Sequence, residues 1–126
     1  MSNRRRGAVR YRSGYLRSMV WFRRRDAWFT EEAARAGRLS CAGCGAVDVK
    51  ARLELHHLDY TGVLEDPRAG WVAGEDHEDL LSMHPSCHEL LHRLIDRDKV
   101  LSRYRSRREA TRIALQRLQA ALKGTR

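Results

Sequence analysis

All six histidines and all three cysteines of the chain fall between Cys41 and His92, in the order Cys41-x-x-Cys44, His56-His57, His77, then His84-x-x-Cys87-His88-x-x-x-His92. Thiolate and imidazole are the side chains that bind zinc and its neighbours, and two ligands separated by two residues reach one ion without strain. Two such pairs occur here, Cys41 with Cys44 and His84 with Cys87. Together they complete a Cys3His tetrahedron, the signature of a structural zinc. The histidines left over exceed what one tetrahedral ion takes, which points to a second site with an open position for chemistry.

A length of 126 residues suits one domain with extended ends. No stretch approaches the roughly 20 consecutive apolar residues of a membrane span, and residues 1–12 carry basic side chains with no apolar core behind them. The expectation is a soluble, cytoplasmic protein with no membrane partner. An odd cysteine count with a tight Cys-x-x-Cys fits metal ligation in a reducing compartment better than a disulfide framework.

The net charge of +9 is unevenly spread. Residues 1–25 hold nine arginines and no acid, residues 26–96 hold fourteen acids against six bases, and residues 97–126 hold ten bases against two acids. Basic arms flanking an acidic centre attract a polyphosphate, because each neutralised phosphate releases condensed counterions. Arg4, Arg5, Arg6, Arg10, Arg12, Arg23, Arg24 and Arg25 are the expected contacts, with Tyr11, Tyr15, Trp21 and Phe22 interleaved among the arginines for stacking.

Residues 1–12 are expected to form a basic flexible arm. Ser18 is placed to cap a helix running to Ala36, with Met19, Phe22, Ala27 and Ala33 recurring along it, Gly37 as its stop, and Thr30 a point where it could restart. Trp21, Trp28 and Phe29 are assigned to the core. A short strand over 49–55 would deliver His56 and His57 at its end, on opposite faces. The Gly-rich, acidic stretch 61–78 is expected to be a long loop anchored by Trp71. A second strand over 80–83 precedes a helix that starts at Pro85 and runs to about Arg97. On it Leu90, Leu91, Leu94 and Ile95 form one stripe, and His88 and His92 sit side by side. In the tail 98–126, Leu101, Tyr104, Thr111, Leu115, Leu118 and Leu122 mark a basic amphipathic helix. Packing on the domain is its default use; a homodimer, a larger complex or a phosphate backbone are the other surfaces it could serve.

With these pieces in place, the chain resembles the HNH endonucleases, the ββα-metal nucleases, over about residues 15–95. The matching residues are Tyr15-Leu16-Arg17-Ser18 with Trp21, Arg35-Ala36-Gly37, Cys41-x-x-Cys44-Gly45, Leu53-Glu54-Leu55-His56-His57-Leu58-Asp59-Tyr60, Glu78-Asp79-Leu80 and Cys87-His88. The resemblance implies a small α+β fold: a ββα-metal (His-Me finger) core over 13–97 with a structural zinc, preceded by an N-terminal helix and followed by the basic C-terminal helix. It implies hydrolysis of DNA, with RNA not excluded, leaving 5′-phosphate and 3′-hydroxyl ends. His57 matches the general base, His56 and His88 match ligands of the catalytic ion (Mg2+, Mn2+ or another transition metal), and His92 is similar to an extra helical ligand of some members. Asp79 stands where the family has the Asn that fixes the loop carrying the base, and His84 where it has a cysteine. His77 has no counterpart; it is either a loop residue or a partner lying behind a ligand. The alternative function is a non-catalytic zinc module that binds nucleic acid, alone or as a subunit of a larger complex.

Deleting residues 1–12 is expected to weaken binding to a DNA duplex and to flatten its dependence on salt concentration, measured by fluorescence anisotropy. An unchanged salt slope would remove that arm from the contact surface.

Overall fold

The computed structural model describes residues 13–124. Two small antiparallel sheets and a set of helices make up a small α+β fold. A helical turn over 13–16 leads into α1, Met19–Ala36. Ser18 caps α1 by accepting from the Trp21 N–H, and Gly37, at φ 79°, closes it in the left-handed conformation that glycine adopts without a Cβ penalty. The helix runs unbroken through Thr30, whose hydroxyl bonds back to the Asp26 carbonyl.

The buried face of α1 is formed by Trp21, Trp28 and Phe29, as expected. Met19 and Phe22 are not part of it: Met19 is 64% exposed, and Phe22 also faces outward. The bulky indoles occupy the space against the sheets, which turns the smaller stripe away. Trp28 donates from Nε1 to the His77 carbonyl, and that bond fixes the rotation of the helix.

Chain 37–53 forms the first knuckle and a 3-10 turn, Lys50–Arg52, instead of the strand expected from residue 49. Val49 points into solvent, while Leu53 is buried and its carbonyl accepts from Arg25 Nη2. Strand β1 is therefore only Glu54–His57. It pairs with β4, Leu80–Met83, in the register Glu54↔Met83, Leu55↔Ser82, His56↔Leu81, His57↔Leu80.

The stretch 61–78 is not a structureless loop. It holds a hairpin of β2, Val63–Asp66, and β3, Gly70–Ala73. Asp66 Oδ1 accepts from the N–H groups of Arg68 and Ala69, and Gly70 takes φ 79°, so Asp-Pro-Arg-Ala-Gly is the turn. Trp71 does anchor the excursion, with its ring 5.6 Å from that of Tyr15. At the base of the hairpin Gly62, at φ 94°, and Gly74 pass backbone to backbone, where a methyl at either position would strike the other's carbonyl.

A second 3-10 turn, His77–Asp79, leads into β4, and Pro85 opens α2, Pro85–Arg97. Cys87 and Leu91 are buried on α2 with Leu94 and Ile95 packed against the core, but Leu90 is 41% exposed and leaves the expected stripe. The tail forms two helices where one was expected: α3, Lys99–Tyr104, capped by Asp98, and α4, Arg107–Gly124, at whose start Ser106 accepts from the Glu109 N–H. The break rotates Tyr104 out to 77% exposure. Helices α3 and α4 pack on α2, and Leu101, Ala110, Ala114 and Leu118 join the same core as Tyr15, Trp28 and Leu80. Among the described residues no helix is long and apolar enough to cross a membrane.

Gly62→Ala is expected to cost about 1–3 kcal/mol, because it combines a positive φ with a backbone collision. Thermal denaturation checks this, and an unchanged melting temperature would mean that the crossing at Gly74 is loose.

Candidate functional site

Two groups of ligand-type side chains converge in the fold: Cys41, Cys44, His84 and Cys87 in one, and His56, His88 and His92 in the other. In each, one ligand atom per residue lies within 4.8 Å of all the others.

The first group is built where the 41–45 turn docks on the end of β4. Gly45, at φ 79°, bends the turn, its N–H bonding to the Cys41 carbonyl at 2.8 Å. The Ala42 N–H donates to the Ser82 carbonyl at 2.8 Å, and Ser82 Oγ donates to the Ser40 carbonyl at 2.6 Å. Gly43 has to be bare, since a Cβ there would stand 2.9 Å from the Cys87 Cβ. Cys44 Sγ lies 3.4 Å from His84 Nδ1, and the opposite nitrogen, Nε2, donates to Asp48 Oδ2 at 2.8 Å. A carboxylate only accepts, so the proton sits on Nε2 and Nδ1 presents its lone pair to the sulfurs.

Electrostatics within this group separate Cys41 from Cys87. Burial acts to raise the Cys41 thiol, but backbone N–H groups of His84, Cys44 and Gly43 outweigh it and hold Cys41 below its ordinary value. Cys87 is pushed up to about 12, by burial first and then by Cys41 and Cys44. Neighbouring thiolates cannot all ionise in a buried space unless a positive charge sits among them. The Cys41, Cys44, His84 and Cys87 cluster can hold a structural metal such as zinc.

In the second group β1 supplies His56 and α2 supplies His88 and His92, one turn apart. His88 Nε2 lies 3.1 Å from His56 Nδ1 and 3.0 Å from His92 Nε2. These separations are near the roughly 3.3 Å edge of a tetrahedron with metal–nitrogen bonds of about 2.0–2.1 Å. The outward nitrogens are held: His88 Nδ1 donates to Glu54 Oε1 at 2.7 Å, and His56 Nε2 pairs with Thr111 Oγ1 at 2.8 Å. Burial depresses His56 to about 2, helped by the charges of Arg107, His88 and His92. His92 falls to about 4, again through burial first and then through His88 and Arg107. Neutral imidazoles with oriented lone pairs are what a transition-metal cation requires, and three protein ligands leave a coordination position open.

His57 projects from the other face of β1. Its ring lies flat on Tyr60, with centroids 4.2 Å apart and planes 5° apart, and tilts against Trp21 at 4.7 Å. Nε2 bonds Glu75 Oε2 at 2.8 Å, an oxygen that also accepts from the Tyr15 hydroxyl at 2.8 Å. Burial keeps His57 below its ordinary value, although Glu75 opposes that shift. Although His57 leaves β1 on the face opposite His56, it lines a common cleft of about 550 Å3 with His88 and His92 of α2, together with Tyr60, Arg105 and Arg107. Arg107 Nε donates to the His57 carbonyl at 2.7 Å, and its guanidinium stands 5.2 Å from the Tyr60 ring.

Asp79 does not reach the His57 ring. Its carboxylate binds Arg108 Nη1 at 2.5 Å, and its carbonyl accepts the Leu58 N–H at 2.8 Å, bracing the backbone just after His57. The side chain that does reach His57 is Glu75, which the sequence alone left inside a loop. Glu54 was the more legible omission, being two positions before His56 and thus on the same strand face. His77 belongs to neither cluster: its nitrogens meet Glu31 and Glu32 at 3.1 and 2.8 Å, and its ring stacks on Trp28. It joins α1 to the approach to β4.

Of the arginines expected on a polyphosphate, Arg4, Arg5, Arg6, Arg10 and Arg12 lie outside the described residues. Arg24 donates to the Glu75 carbonyl and Arg25 to the Leu53 carbonyl, so both have structural partners, while Arg23 is exposed. Searches against family models, curated proteins and solved structures return no match for this chain.

Cys87→Ser, or prolonged treatment with a strong chelator, is expected to abolish cooperative thermal unfolding, because the knuckle and α2 lose their common tether. Elemental analysis is expected to find zinc retained after His88→Ala but lost after Cys87→Ser. Zinc lost from both variants would show that the two clusters do not bind independently.

Proposed function

We propose that this protein is a metal-dependent nuclease of the HNH type, with β1, β4 and α2 as a ββα-metal core, that hydrolyses DNA phosphodiesters. The observation that carries this reading is the shared cleft, where a buried, uncharged imidazole stands beside a three-histidine cluster with an open position. A purely structural or binding module has no use for that combination. The three nitrogen donors favour Mn2+ or a later transition metal over Mg2+, which prefers oxygen ligands.

His56, His88 and His92 would hold the cation, with Glu54 and Thr111 fixing the first two rings. When bound, such an ion supplies positive charge to the phosphate and the departing oxygen. His57 accepts a proton from water as the water oxygen bonds to phosphorus. The bond from phosphorus to the 3′ oxygen breaks, leaving a 5′-phosphate and, after protonation, a 3′-hydroxyl. Arg105 and Arg107 give the cleft wall the charge needed to seat a phosphate backbone. The assignment of 13–97 as the nuclease unit extends, on this reading, to Thr111 and Arg107 of α4.

Purified protein is expected to nick supercoiled plasmid with Mn2+ or Ni2+ and to stop when excess chelator is added. His57→Ala is expected to lower the rate about 10²–10⁴-fold with zinc content and duplex affinity nearly unchanged. Absence of nicking with every divalent ion tried would favour a non-catalytic zinc module that binds nucleic acid.

A further inference from the structure

Glu75 sits where a fold selected only for stability would not put it. Its side chain is fully buried, and Tyr15, Trp21 and Tyr60 enclose the His57 ring it binds. Oε2 takes two hydrogen bonds, yet Oε1 is buried with none. Burial opposes the charge, and hydrogen bonds from His57 and Tyr15 outweigh it and hold Glu75 below its ordinary value, yet Oε1 has given up its hydration with no partner in return, a cost that a side chain chosen for stability alone would avoid. Conflicts of this kind between local energetics and sequence concentrate at functional sites.

The surroundings fix the carboxylate through Oε2 and through its own backbone. Tyr15 holds Oε2, Arg24 Nη2 holds the Glu75 carbonyl at 3.1 Å, and the Gly62–Gly74 crossing sets the backbone immediately before it. Because an ionised carboxylate accepts but does not donate, the bond at 2.8 Å requires the proton of neutral His57 to be on Nε2. The lone pair is then on Nδ1, in a ring whose tilt is already set by Tyr60 and Trp21.

We infer that Glu75 is the positioning residue of the nuclease reaction: it locks His57 in the tautomer that leaves Nδ1 as the basic atom, and its charge faces the imidazolium that forms when Nδ1 takes the proton from water. This rests on the nuclease reading above. Tyr15 is the device that keeps the carboxylate aimed, since its hydroxyl occupies the same oxygen from the other side.

The test uses the full chain loaded with zinc and Mn2+ for kinetics, and with zinc alone for spectroscopy. Glu75→Gln preserves volume and an acceptor oxygen while removing the charge. Its melting temperature is expected to match or exceed that of the parent, while kcat for plasmid nicking falls about 100-fold or more and KM stays within a factor of about two. Glu75→Asp is expected to recover part of kcat. In nitrogen-15 imidazole spectra the parent is expected to show His57 only as the Nε2–H tautomer, and Glu75→Gln a mixture. A fall in melting temperature together with the loss of activity would mark Glu75 as structural and overturn the inference. So would an unchanged kcat or an unchanged single tautomer in Glu75→Gln. A parent protein that cuts nothing would withdraw the nuclease reading, and the tautomer comparison would still decide whether Glu75 sets the His57 ring.

Discussion

Four paired residues on each of two strands carry both ligand clusters. In the β1–β4 ladder His57 faces Leu80 and His56 faces Leu81, while Met83 at the far end hands the chain directly to His84 and α2. A slip of one residue in this register would exchange the faces of His56 and His57 and send each imidazole to the other's surroundings. It would also shift Ser82, whose backbone and hydroxyl hold the 41–45 turn. The ladder is too short to resist such a slip through its own hydrogen bonds. Leu53, Leu55, Leu80 and Met83, all buried, hold it in register, and the Cys41, Cys44, His84 and Cys87 cluster holds the adjoining end.

The charge pattern of the chain has a counterpart in its interior. Four ionisable side chains important to the clefts and clusters are nearly out of solvent: His56, His57, Glu75 and Asp79. Each has a partner suited to its charge state: Thr111 for His56, Glu75 for His57, Tyr15 for Glu75 and Arg108 for Asp79. Burial favours the neutral form of the two histidines, so the centre of the molecule accumulates lone pairs rather than positive charges. Neutral imidazoles that keep a lone pair free of protons are the form in which histidine ligates a divalent cation.

The C-terminal segment has a larger part in the site than a solubilising tail would. Thr111 from the middle of α4 reaches His56, Arg107 at its start bonds the His57 carbonyl, and Arg108 between them gathers Asp59 and Asp79. Removing the segment would therefore open the cleft and expose the back of the His56 ring, besides removing Leu101, Ala110, Ala114 and Leu118 from the core.

Spacing alone marked Cys41 with Cys44, His84 with Cys87 and His88 with His92 as candidate ligand pairs, because x-x and i,i+4 separations are local and need no knowledge of the fold, whereas His56 was joined to His88 only through the resemblance to the HNH endonucleases. It likewise determined the caps at Ser18 and Gly37, the start of α2 at Pro85 and the opposite facing of His56 and His57. Tertiary structure decided what lies behind those ligands. Glu75, Thr111, Asp48 and Arg107 are brought to their histidines by chain reversals, and no local periodicity encodes which carboxylate or hydroxyl a turn will deliver. The β2–β3 hairpin lies on the other side of that division: residues 61–78 read as a Gly-rich, acidic loop, and the pairing of two short strands there comes with the packing of Trp71 on Tyr15. Ligand spacing is a property of a few neighbouring residues, whereas the orientation of a buried imidazole is set by whatever the whole chain packs against it.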